Sequence, residues 1–381
     1  MNFELSKEQQ MIVGSVAGFV KDESNVERFR DMREDERGWD PEVWRTMGEY
    51  GWLGIAFPEQ YGGIDGSFLD MALILEQFGR GLVPEPYIAS VVLAGSLVLE
   101  LGSDDQKNGL LAPMLAGEAS LALAYAERQS RYRLEDCLTT ASVEGDGYRI
   151  SGEKVWVLNG HAADSILVVA RTSGEQLDRD GLTLFVVPSD AEGLERTAVR
   201  GMDGQRSAML SLNGVAAGPE QVLGPVGGAL PALEWALDRA AAAACAEAQG
   251  ALKELLDRTV DYLKNREQFG VKIGSFQALQ HRAAEMFAEV ELCKGTMILA
   301  ALSADLEDPA ERAAEISAAK VQLTDGGWFV LEHALQLHGG IALTDEQDLG
   351  LFFKRVRVLQ GLFGDADHHV DRFQALPGFA A

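Results

Sequence analysis

Residues 138–160, LTTASVEGDGYRISGEKVWVLNG, decide the fold. Two runs rich in Val, Ile, Thr, Tyr and Trp flank Asp146 and Gly147, a pair of the kind that joins antiparallel strands in a tight turn. Strand composition continues in ADSILVVAR (163–171) and GLTLFVVPSD (181–190), so the block 116–225 reads as a β-domain. Upstream the period is helical. SKEQQMIVGSVAGFVKDE (6–23) spaces apolar residues three and four apart behind a Ser6 cap, and DPEVWRTMGEYGWLG (40–54) opens with Asp40 before Pro41. The turn-rich FPEQYGGIDGS (57–67) separates these from FLDMALILEQFGR (68–80), where helical spacing resumes.

Downstream the chain returns to long, alanine-rich helices. In LPALEWALDRAAAAACAEAQGALKELLDRTVDYLKNR (230–266) the first half is apolar on nearly every side, as in a helix buried within a bundle, and Ala240 to Ala244 let neighbours approach closely. Two more helical runs follow at 278–305 and 309–340. The expected class is α+β: an N-terminal α-helical domain (1–115), a middle antiparallel β-domain (116–225) and a C-terminal four-helix bundle (226–381).

Composition narrows the function. The formal net charge of -26 repels phosphate backbones and anionic membrane surfaces, which argues against nucleic acid and membrane partners. Cys137, Cys245 and Cys293 are widely separated, with no CxxC pair and no zinc pattern, so a reducing cytoplasm is the expected compartment. The opening MNFELSKEQQMIV lacks a basic segment followed by an apolar run, and no stretch reaches the roughly 20 apolar residues of a membrane span.

Two short stretches carry ligand chemistry. In NREQFG (265–270), Arg266 offers a fork of donors suited to a pyrophosphate and Phe269 a flat face for an adenine ring. QLHGG (336–340) ends a helix in a Gly pair that lets backbone approach a ligand, and Gln336 can hydrogen-bond it. Alone, either is more often a cap or a turn. No GxGxxG follows a strand, so a Rossmann-type site is not indicated.

Taken in order, GWLGIAFPEQYGG (51–63), KVWVLNGHAAD (154–164), NREQFGVKIGSFQALQH (265–281) and QLHGGIAL (336–343) resemble the acyl-CoA dehydrogenase family along essentially the whole chain. The resemblance implies a flavoprotein, usually tetrameric, in which FAD removes two hydrogens from the α and β carbons of an acyl-CoA thioester, with electron-transfer flavoprotein as acceptor. It also implies that Arg266, Gln268, Phe269, Phe276, Gln277, Gln336, Gly339 and Gly340 hold the ADP half of a neighbouring subunit's FAD.

The other half of the site departs from the family. Where the family carries a run like Thr-Glu-Pro-Gly-Ala-Gly-Ser-Asp against the flavin, this chain has YAERQSRYRLED (125–136): Glu127 alone survives, and Arg128, Gln129, Arg131 and Tyr132 bring bulk. Trp156 stands where a tryptophan stacks near the flavin, its alternative being a tryptophan packed within the β-domain. Leu158 replaces a threonine and cannot donate to the ring. The family's base, a carboxylate that takes the α-proton, aligns with Phe363 in LFGDADHH (362–369), and the alternative helical base position aligns with Ala240, its neighbouring arginine with Ala241. Asp365 and Glu234 are the nearest substitute carboxylates. Lys354-Arg355 replaces an Arg-Asp pair, which is expected to disturb the support of this loop.

The retained residues serve a neighbour's cofactor, and the lost ones serve chemistry within this chain. That division resembles the second subunit of heterotetrameric dehydrogenases of bacterial steroid side-chain breakdown, which completes an FAD site in an α2β2 assembly without supplying the base. The alternatives are an active homo-oligomer using Asp365 or Glu234, and a redox-inactive scaffold.

Overall fold

The computed structural model describes residues 5–376 and follows the order helices, sheet, helices. Helices α1 (Lys7–Asp22), α2 (Val26–Met32), α3 (Pro41–Glu49), α4 (Phe68–Gly81), α5 (Ser96–Leu101) and α6 (Asp104–Leu115) come first. Strands β1 (Leu121–Ala124), β2 (Thr140–Glu144), β3 (Gly147–Leu158), β4 (Ser165–Arg171), β5 (Leu182–Pro188), β6 (Leu194–Arg200), β7 (Arg206–Ala217) and β8 (Val222–Leu223) form one sheet. Helix α7 (Leu230–Asn265) leads into a small hairpin of β9 (Glu267–Gln268) and β10 (Val271–Lys272). Then come α8 (Gln277–Ser303), α9 (Pro309–His338), α10 (Leu349–Gly361) and α11 (Ala366–Gln374).

Local chemistry sets the helix starts. The Ser6 hydroxyl accepts from the Gln9 amide while the Gln9 side chain accepts from the Ser6 amide, a reciprocal cap that satisfies two otherwise orphaned donors. Asp40 accepts from the Glu42 amide, and Pro41 occupies the first helical position, where its missing N–H costs nothing. Tyr87–Gly95 is wound as a fully buried π-helix, which no sequence pattern announced.

By contacts the chain forms two compact units. One takes Met32–Gly66 and Pro84–Ala240; the other takes the described residues up to Asp31, Ser67–Val83, and those from Ala241 onward. In the first unit the sheet runs β6-β7-β3-β2-β4-β5-β8, antiparallel except that β4 pairs in parallel with β1 and, at one position, with β2. Ile150, Val157, Ile166, Val168, Phe185 and Leu210 supply its core. The β2–β3 hairpin pairs Glu144 with Gly147, so its turn is Gly145-Asp146, one residue earlier than the expected Asp146-Gly147. Gly145 takes the positive φ of 62° that the first loop position of a II′ turn requires. Gly147 is needed in the ladder, because a Cβ there would lie 2.5 Å from the Ala217 carbonyl oxygen.

In the second unit α4 and α7 cross at backbone contact. A Cβ on Gly250 would lie 1.7 Å from the Glu76 carbonyl oxygen, and one on Gly79 would lie 1.9 Å from that of Glu247, so glycine on both helices is what permits the crossing. α10 is tied to α7 by a buried fork: Arg355 donates through Nε (2.6 Å) and an Nη (2.9 Å) to the Glu247 carboxylate. Among the described residues no helix is long and apolar enough to cross a membrane.

Candidate functional site

The residues expected to hold the ADP half of FAD lie on the second unit, at the ends of α7 and α9, in the β9–β10 hairpin and at the start of α8. Those ends meet: the Tyr262 ring stacks on His338 at 4.4 Å, and its hydroxyl donates to the His338 carbonyl at 3.4 Å. Arg266 follows one and Gly339 the other. Tyr262 and His338 also line a cleft of about 320 Å3 with Asp261, Asn265 and Gln347.

Arg266, Gln268, Phe269, Phe276, Gln277, Gln336, Gly339 and Gly340 are all exposed. Phe269 is the extreme case at 90% exposure. It sits with Gly270 at the tip of the β9–β10 hairpin, both in positive φ (56° and 78°), as a type I′ turn demands. Asparagine is the usual residue there. A phenylalanine in left-handed backbone with its ring in water carries both strain and apolar exposure, a combination found where a surface awaits a ligand or partner. Phe276 meets the same ring edge-on at 6.3 Å. Phe276 also heads α8 without a side-chain cap, leaving amides at that helix start open to an anion. Gly339 ends α9 at a φ of 66°, and neither it nor Gly340 has an atom within 4 Å of where a Cβ would stand.

The β-domain residues behave in the opposite way. Glu127 is buried and its carboxylate is saturated: it accepts from Lys154 Nζ (2.7 Å), the Leu138 amide (2.7 Å), the Gln129 side chain (2.9 Å) and the Thr139 amide (3.0 Å). Burial alone would raise its pKa, but the Lys154 ammonium and these donors outweigh it and hold the carboxyl at about 2. Its role is to pin the loop between β1 and β2, and it has nothing left for a ligand. That loop turns Arg128, Gln129 and Arg131 outward, Arg131 at a φ of 47°.

Trp156 does not pack in the sheet's core, the alternative considered for it. It sits at a break in the β3–β7 register with a φ of 51° and is 53% exposed, so the bulge aims its ring away from the sheet.

At the two base positions, Ala240 is buried in α7, and Phe363 occupies a left-handed turn with a φ of 61°. The substitute carboxylates are both employed. Asp365 caps α11, accepting from the His368 amide at 2.9 Å. Glu234 pairs with Arg179 at 2.6 Å. The expected loss of support for the 362–365 turn does not occur, because Arg355 is engaged with Glu247 and the turn is held from another element. Lys320 of α9, passed over in the sequence, donates to the carbonyls of Leu359, Gln360 and Leu362. Its one sequence signal is a lone cation in the uncharged stretch ISAAKVQL (316–323).

Family models for the acyl-CoA dehydrogenase N-terminal, middle and C-terminal domains match residues 6–118, 122–215 and 230–375. The chain is 30% identical over 380 residues to the probable acyl-CoA dehydrogenase YngJ of Bacillus subtilis, covering 98% of both. Among solved structures it is similar to the Tcur3481-Tcur3483 steroid ACAD, with a TM-score of 0.86 at 30% identity over 96% of both chains. It is also similar to the ChsE4-ChsE5 complex from Mycobacterium tuberculosis, with a TM-score of 0.87 at 26% identity over 98% of this chain and 97% of that one.

Proposed function

The chain belongs to the acyl-CoA dehydrogenase family, whose members are generally FAD-dependent oxidoreductases, and from that premise we propose that it is the non-catalytic subunit of a heteromeric acyl-CoA dehydrogenase. It completes the ADP half of a partner's FAD and leaves the base to that partner.

One observation carries this reading: the residues for a neighbour's cofactor are exposed, whereas the acid and base positions within the chain are saturated or apolar. The fit to FAD divides in the same way. Arg266 would meet the pyrophosphate, Phe269 and Phe276 would cover the adenine, and Gln336, Gly339 and Gly340 would bring polar and backbone groups to the ADP moiety. On the β-domain side Glu127 has no free lone pair to offer a flavin ring and the Leu158 side chain has no donor, and among the C-terminal helices Phe363 and Ala240 cannot accept a proton.

Bound FAD supplies the acceptor for the hydride leaving the β carbon of the thioester. Removal of the α-proton needs a carboxylate in reach, whereas the two base positions carry Phe363 and Ala240, and Asp365 and Glu234 are engaged in a cap and an ion pair. The substrate proposed is a bulky acyl-CoA such as a steroid side-chain thioester, a class supported by the likeness to the steroid ACAD. The homologous partner of an α2β2 assembly is supported by the likeness to the ChsE4-ChsE5 complex, and electron-transfer flavoprotein is the proposed acceptor. The test is whether flavin and desaturation activity are found only in the complex with a second, base-carrying chain.

A further inference from the structure

Lys320 is buried on α9, and its Nζ donates to the carbonyl oxygens of Leu359 (2.8 Å), Gln360 (3.2 Å) and Leu362 (2.7 Å). These lie at the end of α10, where carbonyls lack helical partners. An ammonium has three N–H donors, and all three are spent here. A neutral amine has two, and its lone pair would face a carbonyl oxygen.

The turn that follows is one the chain adopts only under constraint. Phe363 has a φ of 61° and Gly364 a φ of 115°, and a Cβ on Gly364 would lie 2.5 Å from His369 Nε2. His369 is the second clamp: its Nε2 donates to the Phe363 carbonyl at 3.1 Å, and its Nδ1 accepts from the Ser317 hydroxyl at 3.1 Å. Burial drives the His369 pKa down to about 2, so this clamp stays neutral and does not titrate near physiological pH. Lys320 does.

We propose that Lys320 is a pH-sensitive latch: its ammonium fastens the 359–365 turn, and loss of its proton frees a carbonyl at the end of α10 and loosens Phe363. The inference stands apart from the functional reading, since it concerns only the state of this turn.

The groups facing Lys320 set where the latch opens. Burial pushes its pKa from the ordinary 10.5 down to about 8, opposed by Asp365 at the start of α11 and by the three carbonyls that accept from the ammonium; Cys245 of α7, its thiol pushed up to about 11 by burial, is neutral there. His368 and His369 of α11 are neighbours held toward their neutral forms, first by burial. From α10 it meets the three backbone carbonyls already named. The latch is therefore complete below about pH 8 and lost as pH rises through it.

The test is fluorine NMR of the full chain carrying 4-fluorophenylalanine, with the Phe363 resonance assigned by its absence from Phe363→Leu. It is followed from about pH 6 to about pH 10, the range a shifted lysine spans. The resonance is expected to move with a midpoint near pH 8 in the natural chain. Asp365→Asn keeps a good helix cap but removes the opposing charge, so its midpoint falls. Lys320→Met shows the high-pH position throughout. A resonance that stays still, one that titrates equally in Lys320→Met, or a midpoint unmoved by Asp365→Asn overturns the proposal. If Lys320→Met does not fold, the natural chain and Asp365→Asn decide it.

Discussion

The carboxylate of Glu127 lies 2.7 Å from the ammonium of Lys154, and both side chains are shut away from solvent. The one acid left from the family's flavin-facing run is thereby turned to holding the β1–β2 loop. Removing a single member of such a pair strands the other charge. Glu127→Gln or Lys154→Met is therefore expected to cost about 3–5 kcal/mol, read as a lowered chemical-denaturation midpoint, with the double variant losing less than the sum of the two.

The same pair sets an acid limit. With its pKa held at about 2 against an ordinary 4.5, Glu127 contributes stability that is fully present above pH 4.5 and is lost as pH falls through 2. Urea midpoints measured down this range should decline in the natural chain. The part of the decline due to Glu127 should be missing from Glu127→Gln.

The exposed residues proposed to hold the cofactor should separate stability from flavin binding. Arg266→Ala and Gln336→Ala replace surface side chains, so each should change the stability of the chain alone by no more than about 0.5 kcal/mol. In the complex with a base-carrying partner the same variants should lower flavin occupancy, measured by absorbance after dialysis.

Asp365 and Glu234, the substitute carboxylates, serve a cap and an ion pair. Asp365→Asn and Glu234→Gln should leave the rate of thioester desaturation by the complex unchanged within a factor of about two, well under the 10²–10⁴-fold effect of removing a true base.

The fold was legible where local chemistry and periodicity agreed. The Ser6 cap, the Asp40-Pro41 helix start and the change from helical to strand spacing near residue 120 all appear as read. The hairpin turn slipped by one residue, because either glycine of Gly145-Asp146-Gly147 could have served it and only the approach of β7 decides which is needed in the ladder. Sequence could name Arg266, Phe269 and Gln336 but not their exposure, which depends on long-range packing. It could not show that Trp156 stands on a bulge, that Arg355 is committed to Glu247, or that Lys320 grips the end of α10. Each of these is a partnership between residues far apart in the chain.

The central claim is the division of the FAD site between two chains. The most direct measurement is the flavin absorbance of this chain purified alone and again after co-expression with a base-carrying acyl-CoA dehydrogenase subunit. The account predicts a colourless chain alone, and one FAD per pair of chains in the complex. A full complement of FAD in the chain alone would contradict it.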